Sequence, residues 1–158
     1  EEEAKKAEAY GVRVVLVRTG IVLDKGKGAL AKMVPPFKFF AGGPLGSGNQ
    51  WMPWIHIEDA VNASLAAMEL GRAGEIYNIV DDESVGMNTW LTHAALSLKA
   101  KPPFSIPHWL LRLISPYMAT VFDTRLVVSN RKAKDDMHWR LQYPSYREGL
   151  REMATHLK

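Results

Sequence analysis

The sequence predicts an α/β fold in which part of a parallel sheet is followed by a mostly helical lobe. Two short runs of apolar and β-branched residues, VRVVLVR at 12–18 and EIYNIV at 75–80, predict strands buried on both faces. Helix-like segments precede both runs, at residues 1–10 and 59–70. Parallel neighbours need a crossover connection, and a helix usually supplies it. We therefore expect these two strands to be parallel neighbours in one sheet.

Length and composition are typical of one compact domain. The chain has 158 residues, with 47% hydrophobic and 23% charged residues, which excludes a disordered, collagen-like or coiled-coil protein. It contains no cysteine, so disulfides and thiolate metal sites are excluded. A reducing, cytoplasmic compartment fits, although the absence of cysteine also fits many exported bacterial proteins. The net charge is only +3 and no run is long and apolar enough to cross a membrane, so we expect neither a nucleic-acid nor a membrane partner.

The remaining elements are predicted from periodicity and from glycine and proline positions. Residues 1–10 form a helix that ends at Gly11, and the helix at 59–70 turns Ala60, Val61, Leu65 and Met68 inward. Pro53 makes the strand at 51–57 an edge or irregular strand. Other predicted segments are a short helix at 29–34, a glycine-rich loop at 37–50, an extended piece at 103–106 and helices at 87–98, 107–118, 130–137 and 145–157.

Three helices of the lobe have a definite predicted inner face or cap. Asn88 is expected to cap the helix at 87–98, Asn130 opens the helix at 130–137, and the helix at 145–157 points three apolar residues inward. The inward residues are Trp90, Leu91, Ala94, Ala95 and Leu98 in the first of these helices and Tyr146, Leu150 and Met153 in the last. The apolar segment at 109–114 should pack the lobe or a partner subunit.

A search for catalytic motifs finds none. There is no phosphate-binding P-loop, no H-E-x-x-H zinc motif and no G-x-S-x-G serine elbow, and the five histidines lack metal-ligand spacing. The glycine run at 42–48 does not follow a strand and open a helix, so it is interpreted as a connector and not as a dinucleotide fingerprint. We therefore assign no catalytic residue and no metal ligand.

Several co-linear motifs make the chain resemble a known family. They are RTGIVL at 18–23, GALAKM at 28–33, PPF at 35–37, GGPLGSG at 42–48, QWM at 50–52, WIHIxDA at 54–60 and the closing segment at 129–150. In this order and spacing they resemble the NAD-dependent epimerase/dehydratase family, which comprises extended or atypical short-chain dehydrogenase/reductases with a Rossmann fold. His138 departs from the pattern, because glycine usually stands there.

The resemblance implies that the chain corresponds to the C-terminal half of such an enzyme. The family's opening strand and glycine-rich turn do not precede Glu1, and none of the five tyrosines has the lysine of a Tyr-x-x-x-Lys pair. The parent would transfer hydride with NAD or NADP on a nucleotide-sugar-like or other small carbonyl or hydroxyl substrate. The chain alone should neither catalyse this reaction nor bind the cofactor tightly. The alternative is a non-catalytic binding or interaction module derived from the same fold.

The resemblance also divides the chain. Residues 1–80 would be the C-terminal part of the Rossmann-like domain, with a substrate loop inserted at 24–57, and residues 81–158 would form the helical substrate-binding lobe. A sheet cut beside the strand at 12–18 leaves an apolar edge, so we expect the isolated chain to self-associate.

Candidate ligand contacts follow from the same comparison. Thr19, Gly20, Ile21 and Val22 leave the first strand at its carboxyl end, where the family's backbone meets the nicotinamide carboxamide. Gln50, Trp51, Trp54 and His56 are the candidate substrate contacts, although Trp54 also suits a core position. Both sets are expectations. The alternative for the first set is a purely structural strand end, and the alternative for the second set is a place in the hydrophobic core.

A few polar residues have a simpler structural interpretation. Asp59 is expected to cap or complement the start of its helix, and Asn78 to pin a neighbouring loop in preference to facing the cleft. Arg131, Lys132 and Lys134 are interpreted as a solvated helix face in preference to a phosphate site.

Overall fold

The computed structural model describes residues 1–24, 48–97 and 125–156. In chain order its elements are helix α1 (Glu2–Lys5), continued by a 3₁₀ helix (Lys6–Tyr10), strands β1 (Leu16–Thr19), β2 (Ile21–Leu23), β3 (Trp51–Met52) and β4 (Trp54–His56), helix α2 (Ile57–Leu70), strands β5 (Ile76–Ile79) and β6 (Val85–Gly86), and helices α3 (Met87–Ser97), α4 (Arg131–Met137) and α5 (Tyr146–His156). The segments predicted at 29–34, 103–106 and 107–118 lie outside the described residues.

The central prediction of two parallel neighbouring strands is confirmed. Strand β1 pairs with β5 in parallel, from Leu16 opposite Ile76 to Thr19 opposite Ile79. Helix α2 lies between them in the chain and packs against β1, as the crossover requires. The opening helical segment is confirmed as well, and it ends at Gly11 in the left-handed conformation with φ 76°.

Gly20 is the point at which the chain changes partner strand. Beyond it, β2 runs parallel to β4, with Ile21 opposite Trp54. A Cβ at position 20 would lie 2.9 Å from the carbonyl oxygen of Pro53 and 3.1 Å from a methyl group of Val80, so only glycine fits here. Pro53 itself separates β3 from β4, which confirms the irregular strand predicted there. Strand β3 pairs antiparallel with β6, a strand that the sequence did not indicate.

The prediction that residues 12–18 are buried on both faces is wrong. The strand is shorter, and Val12 and Val17 keep 54% and 37% of their surface exposed. The physical reason is that, among the described residues, β1 has a partner strand on one edge only and packs against one helix, α2, so part of its surface stays uncovered. An apolar sequence alone does not distinguish a strand that is covered on both sides from a strand that is partly exposed.

Helix α2 buries a different stripe from the one predicted. Its buried residues are Asp59, Ala60, Ala63 and Ala67. Of the predicted inward residues only Ala60 is buried, while Val61, Leu65 and Met68 are 49%, 52% and 69% exposed. Alanines allow the helix to approach the sheet closely, and at 100° per residue this turns the larger side chains outward.

Arg13 secures the end of α2 that follows this stripe. Its guanidinium donates to the carbonyl oxygen of Gly71 at 2.6 Å and also to the carbonyl oxygen of Met68. Unpaired carbonyls and the negative end of the helix dipole both favour a cation at this position.

The two sides of β4 face two hydrophobic clusters. Trp54 packs with α3 and α5, whereas the next residue, Ile55, packs with α2, α4 and β5. Both clusters contain residues from either side of position 80, and the division into 1–80 and 81–158 stays a prediction. The predicted inner faces of α3 and α5 are confirmed for every described residue, while Leu98 lies outside the described residues.

Caps differ from the sequence prediction in two helices. Asn88 lies within α3, and its N–H donates to the carbonyl oxygen of Gly48, so it is not the predicted cap. Helix α5 begins with one half of a capping box, because the N–H of Glu148 donates to the Ser145 carbonyl oxygen and not to its hydroxyl. The sequence analysis missed this cap. Glu148 Oε2 accepts from the backbone N–H of Ser145 at 3.0 Å and from its hydroxyl at 3.3 Å. Within the described ranges no helix has the length and apolar character needed to cross a membrane.

Candidate functional site

A cleft of about 380 Å³ opens at the carboxyl ends of β1 and β5. In open α/β sheets this is the edge at which ligands bind. The cleft is lined by Arg18, Thr19 and Gly20 from the first strand, by Pro53, by Asn78 and Val80 from the second, and by Val127, Val128 and Ser129. Two strand ends and a separate stretch of chain thus enclose one small-molecule-sized space.

Two asparagines hold the far wall of the cleft against the sheet. The side-chain amide of Asn78 donates to the carbonyl oxygen of Ser129 at 3.4 Å, as the loop-pinning interpretation predicts, while Asn78 also lines the cleft. Asn130 is buried, and its amide donates to the carbonyl oxygen of Val80 and to Asp82 Oδ1, both at 2.8 Å. The wall formed by residues 127–129 is therefore fixed at its Ser129 end by side-chain hydrogen bonds.

The four predicted cofactor contacts differ in what they can offer a nicotinamide. The N–H of Gly20 donates to the carbonyl oxygen of Ile79 at 2.9 Å, and the N–H of Ile21 donates to that of Pro53 at 2.8 Å. These two donors are used within the fold. Thr19 is exposed, and its hydroxyl makes no hydrogen bond to any residue the structure describes. Thr19 therefore fits a carboxamide contact, and the assignments of Gly20, Ile21 and Val22 stay predictions, with the N–H groups of Gly20 and Ile21 unavailable.

Two of the four predicted substrate contacts are buried and engaged in packing. Trp54 is 1% exposed, and its indole stacks on that of Trp90 with ring centroids 4.0 Å apart. His56 is 2% exposed and lies against Tyr143, with ring centroids 3.9 Å apart. Neither residue lines the cleft. Their roles as substrate contacts stay predictions, and this packing favours the alternative that they belong to the core.

Gln50 and Trp51 lie at the β3–β6 pair. Gln50 is buried and its carbonyl oxygen accepts from the N–H of Met87, while Trp51 is half-buried opposite Gly86. The carbonyl oxygen of Trp51 also accepts from the N–H of Leu126, close in the chain to the cleft wall. A backbone hydrogen bond thus links Trp51 to the segment next to the cleft wall. The side chains of Gln50 and Trp51 are not part of the cleft lining.

His56 and Asp59 join the start of α2 to the C-terminal segment. His56 Nδ1 accepts from the N–H of Glu58 and so caps α2, and its Nε2 lies 3.3 Å from Glu152 Oε2. This pattern requires a proton on Nε2, and not on Nδ1. Asp59 lies in the first turn of α2, where it complements the helix dipole as predicted, and it does not cap the helix. Its carboxylate accepts from the N–H groups of Gln142 and Tyr143 at 2.7 and 2.9 Å.

Among the acidic residues that the structure describes, Asp81 is the one whose pKa is most perturbed by its surroundings. Burial raises the pKa of its carboxyl to about 7, and hydrogen bonds from the N–H groups of Glu83 and Tyr146 offset this only in part. Its Oδ2 has no hydrogen-bond partner among the described residues. Asp81 directly follows the end of β5 but does not line the cleft, so we assign it no role in binding.

The basic cluster at the start of α4 is engaged in ion pairs. Lys132 pairs with Glu75, Lys134 lies 2.6 Å from Asp82 Oδ2, and Arg131 lies 3.5 Å from Asp135. This favours the solvated-face interpretation over a phosphate site. Across residues 1–24, 48–97 and 125–156, no group of three acidic or histidine side chains is arranged to hold a metal ion.

The sequence analysis missed most of the far wall of the cleft. The one available signal was Asn78, a polar residue in the middle of an apolar strand. Val127 and Val128 belong to no motif, and Ser129 only begins the closing segment of the family resemblance. Their place beside the cleft depends on tertiary contacts with Asn78 and Asn130.

The parallel strands with an intervening helix, and the cleft at their carboxyl edge, define a Rossmann-like α/β protein of the short-chain dehydrogenase/reductase type. A model of the NAD dependent epimerase/dehydratase family matches residues 4–80, and over these residues the chain is similar to that family.

Known relatives support the same grouping. The chain is 34% identical to the epimerase family protein SSP1921 of Staphylococcus saprophyticus over 156 residues, which cover 98% of this chain and 51% of that protein. The crystal structure of human epimerase family protein SDR39U1 (isoform 2) with NADPH is similar at a TM-score of 0.82 and 28% identity, over 92% of this chain and 50% of that one. The chain spans about half the length of the relatives it matches.

A more distant structure shares the fold. It is the UDP-glucuronic acid 4-epimerase of Bacillus cereus in complex with UDP-glucuronic acid and NAD, at a TM-score of 0.69 and 14% identity. The aligned region covers 96% of this chain and 48% of that one. At this identity the likeness concerns the fold alone.

Proposed function

We propose that the chain is the substrate-binding, C-terminal half of an NAD(P)-dependent epimerase/dehydratase-like oxidoreductase. The observation that carries this proposal is the cleft at the carboxyl ends of β1 and β5, with the unbonded hydroxyl of Thr19 at its rim. When bound, a nicotinamide cofactor supplies reversible hydride transfer. Thr19 would orient the carboxamide of the nicotinamide. The wall formed by residues 127–129 would close the far side of the substrate space.

The substrate class follows from the size and polarity of the cleft. A space of about 380 Å³ with Thr19, Asn78 and Ser129 on its surface suits a small ligand with hydroxyl or carbonyl groups. A nucleotide-sugar-like substrate is supported by the relative of the same fold whose structure holds UDP-glucuronic acid. We expect the half-buried Trp51, two residues before Pro53 of the cleft lining, to extend the site toward a larger ligand.

We propose further that the chain alone binds the cofactor weakly. Two or three hydrogen bonds at about 0.5–1.5 kcal/mol each fall near or below the roughly 4 kcal/mol of a millimolar complex. Dinucleotide affinity in such folds depends largely on a glycine-rich turn and a helix N-terminus at the pyrophosphate. We expect the isolated chain to self-associate, because its large apolar side chains include several exposed ones on α2.

Calorimetric titration tests this function. The isolated chain should give no micromolar binding of NAD or NADP, and addition of the half of a relative that this chain does not match should produce it. In that assembly Thr19→Val should weaken NADPH binding about 2- to 12-fold, the range that one hydrogen bond supplies. Thr89→Val is the matched control, since Thr89 is an exposed threonine on α3. Micromolar binding by the isolated chain, or equal effects of the two variants, would show that the cofactor contact is misplaced.

A further inference from the structure

We propose that a second cavity, separate from the cleft, binds a small organic anion that carries a carboxylate or phosphate on an apolar body. The second cavity has a volume of about 390 Å³ and lies between the end of α4 and the segment that leads to α5. It shares no lining residue with the cleft at the carboxyl ends of β1 and β5. The inference therefore goes beyond the proposed function and does not depend on it.

The first observation is that both carboxylates in the lining of the second cavity already have partners. Asp82 Oδ2 lies 2.6 Å from Lys134 Nζ, and Asp82 Oδ1 also accepts from the side-chain amide of Asn130 at 2.8 Å. Asp135 pairs with Arg131 at 3.5 Å. Neither carboxylate, and not Lys134, is left to meet a charged ligand.

The second observation is an arginine without a counter-charge. Arg140 lines the second cavity, is exposed, and makes no hydrogen bond or ion pair with any residue in the described ranges. Its guanidinium presents a planar set of donors that matches the oxygens of a carboxylate or phosphate. His138 lines the same cavity, is exposed and also lacks a partner among these residues, and its imidazole offers a further N–H donor. The polar side of the cavity therefore favours an anion.

The third observation is an apolar wall that ends in an unused donor. Trp139, Leu141 and Pro144 line the remainder of the second cavity. Trp139 is only 5% exposed, and its indole N–H is buried without a hydrogen-bond partner in the part of the chain that the structure describes. Buried donors in proteins are normally satisfied, so an acceptor oxygen that reaches this ring would supply a hydrogen bond that the fold lacks. The wall also favours an organic anion over an inorganic ion, because apolar ligand surface would be removed from water.

Ligand-observed NMR of the full 158-residue chain tests the site, with benzoate and phenyl phosphate as probes and the neutral benzamide as control ligand. Both anions should bind with a Kd of about 1 mM, and tighter binding of one identifies the preferred head group. Benzamide should bind about fivefold more weakly, a loss between that of an exposed ion pair and that of a charge-assisted hydrogen bond. In protein-observed spectra the indole N–H signal of Trp139, assigned with Trp139→Phe, should shift when benzoate is added.

A pair of arginine variants locates the anion. Arg140→Gln should weaken benzoate binding about fivefold, for the same reason as the loss of charge in benzamide. The matched control is Arg151→Gln, because Arg151 is an exposed arginine on α5 outside the lining, and it should leave the Kd almost unchanged. Far-UV circular dichroism of both variants verifies folding.

Several results would overturn the second site. They are absence of binding by both anions, equal binding of benzoate and benzamide, equal losses in the two glutamine variants, or an indole signal of Trp139 that does not move. Shifts confined to Thr19 and Asn78 would place the anion in the cleft and would also refute this inference. The proposed function fails separately, because its test at Thr19 leaves every residue of the second cavity unchanged.

Discussion

The indoles of Trp54 and Trp90 stack face to face, with centroids 4.0 Å apart and planes 7° from parallel. Trp54 begins β4 directly after Pro53, and Trp90 lies on the first turn of α3, so this contact joins the sheet to the helical lobe. Both rings are fully buried in the cluster that also contains Tyr146 and Met153.

Trp54→Ala should lower the free energy of unfolding by about 3–5 kcal/mol, the usual cost of removing a buried tryptophan side chain. Trp51→Ala is the comparison, and it should cost markedly less because Trp51 is only half-buried. Urea unfolding followed by circular dichroism measures both. A smaller loss for Trp54→Ala than for Trp51→Ala would contradict its place in the core.

Asp81→Asn should stabilise the protein at pH 8. Burial raises the pKa of this carboxyl from 3.8 to about 7. Between about pH 4 and pH 7 the folded state therefore holds a proton that the unfolded state has lost, and at pH 8 the folded state contains a buried charge. Stability contributed by the protonated carboxyl is complete below pH 4 and is lost as pH rises through 7. The amide cannot ionise, so at pH 8 the variant should gain about 2–4 kcal/mol. Stability measured from pH 4 to 8 in wild type and variant shows the effect, with exposed Asp135→Asn as control.

His56→Asn should unfold at higher urea concentration than His56→Ala. Both variants lose the ring contact with Tyr143, but asparagine still offers an acceptor to the N–H of Glu58 at the start of α2. The difference between the two should be about 1 kcal/mol, the usual value of a helix N-cap. Equal midpoints would show that the cap contributes nothing here.

His138→Gly should raise the free energy of unfolding. His138 ends α4 with φ 50°, in the left-handed region, which costs a residue with a Cβ about 1–2 kcal/mol. Glycine removes that cost but is more flexible in the unfolded chain, by about 0.5–1 kcal/mol, so the net gain should be about 0.5–1 kcal/mol. Thermal unfolding measures it, and His138→Ala should bring no gain.

Prediction from the sequence succeeds for elements whose structure depends mainly on neighbouring residues in the chain. The parallel strands, the breaks at Gly11 and Pro53 and the inner face of α5 all follow from short-range chemistry. It fails for α2, where large apolar residues suggested the buried stripe and small alanines occupy it. The choice depends on how closely the sheet approaches, which is a tertiary property.

The site divides in the same way. The strand exit at Thr19 was located because the carboxyl end of a parallel strand is a general binding edge. The wall at 127–129 was missed because it depends on single hydrogen bonds from Asn78 and Asn130, far apart in the chain. For Trp54 and His56 the residue types suggest contact with a ligand, whereas their burial suggests that they pack in the core.

Gly20 fixes the backbone conformation at the carboxyl end of β1, beside the cleft. The peptide groups on both sides of this residue donate backbone hydrogen bonds, one to Ile79 in β5 and one to Pro53 between β3 and β4, and its missing side chain lets Pro53 and Val80 approach. A ligand that contacts Thr19 therefore meets backbone whose conformation is already set. Little conformational entropy remains to be lost on binding, so the carboxyl end of β1 is a preorganised contact.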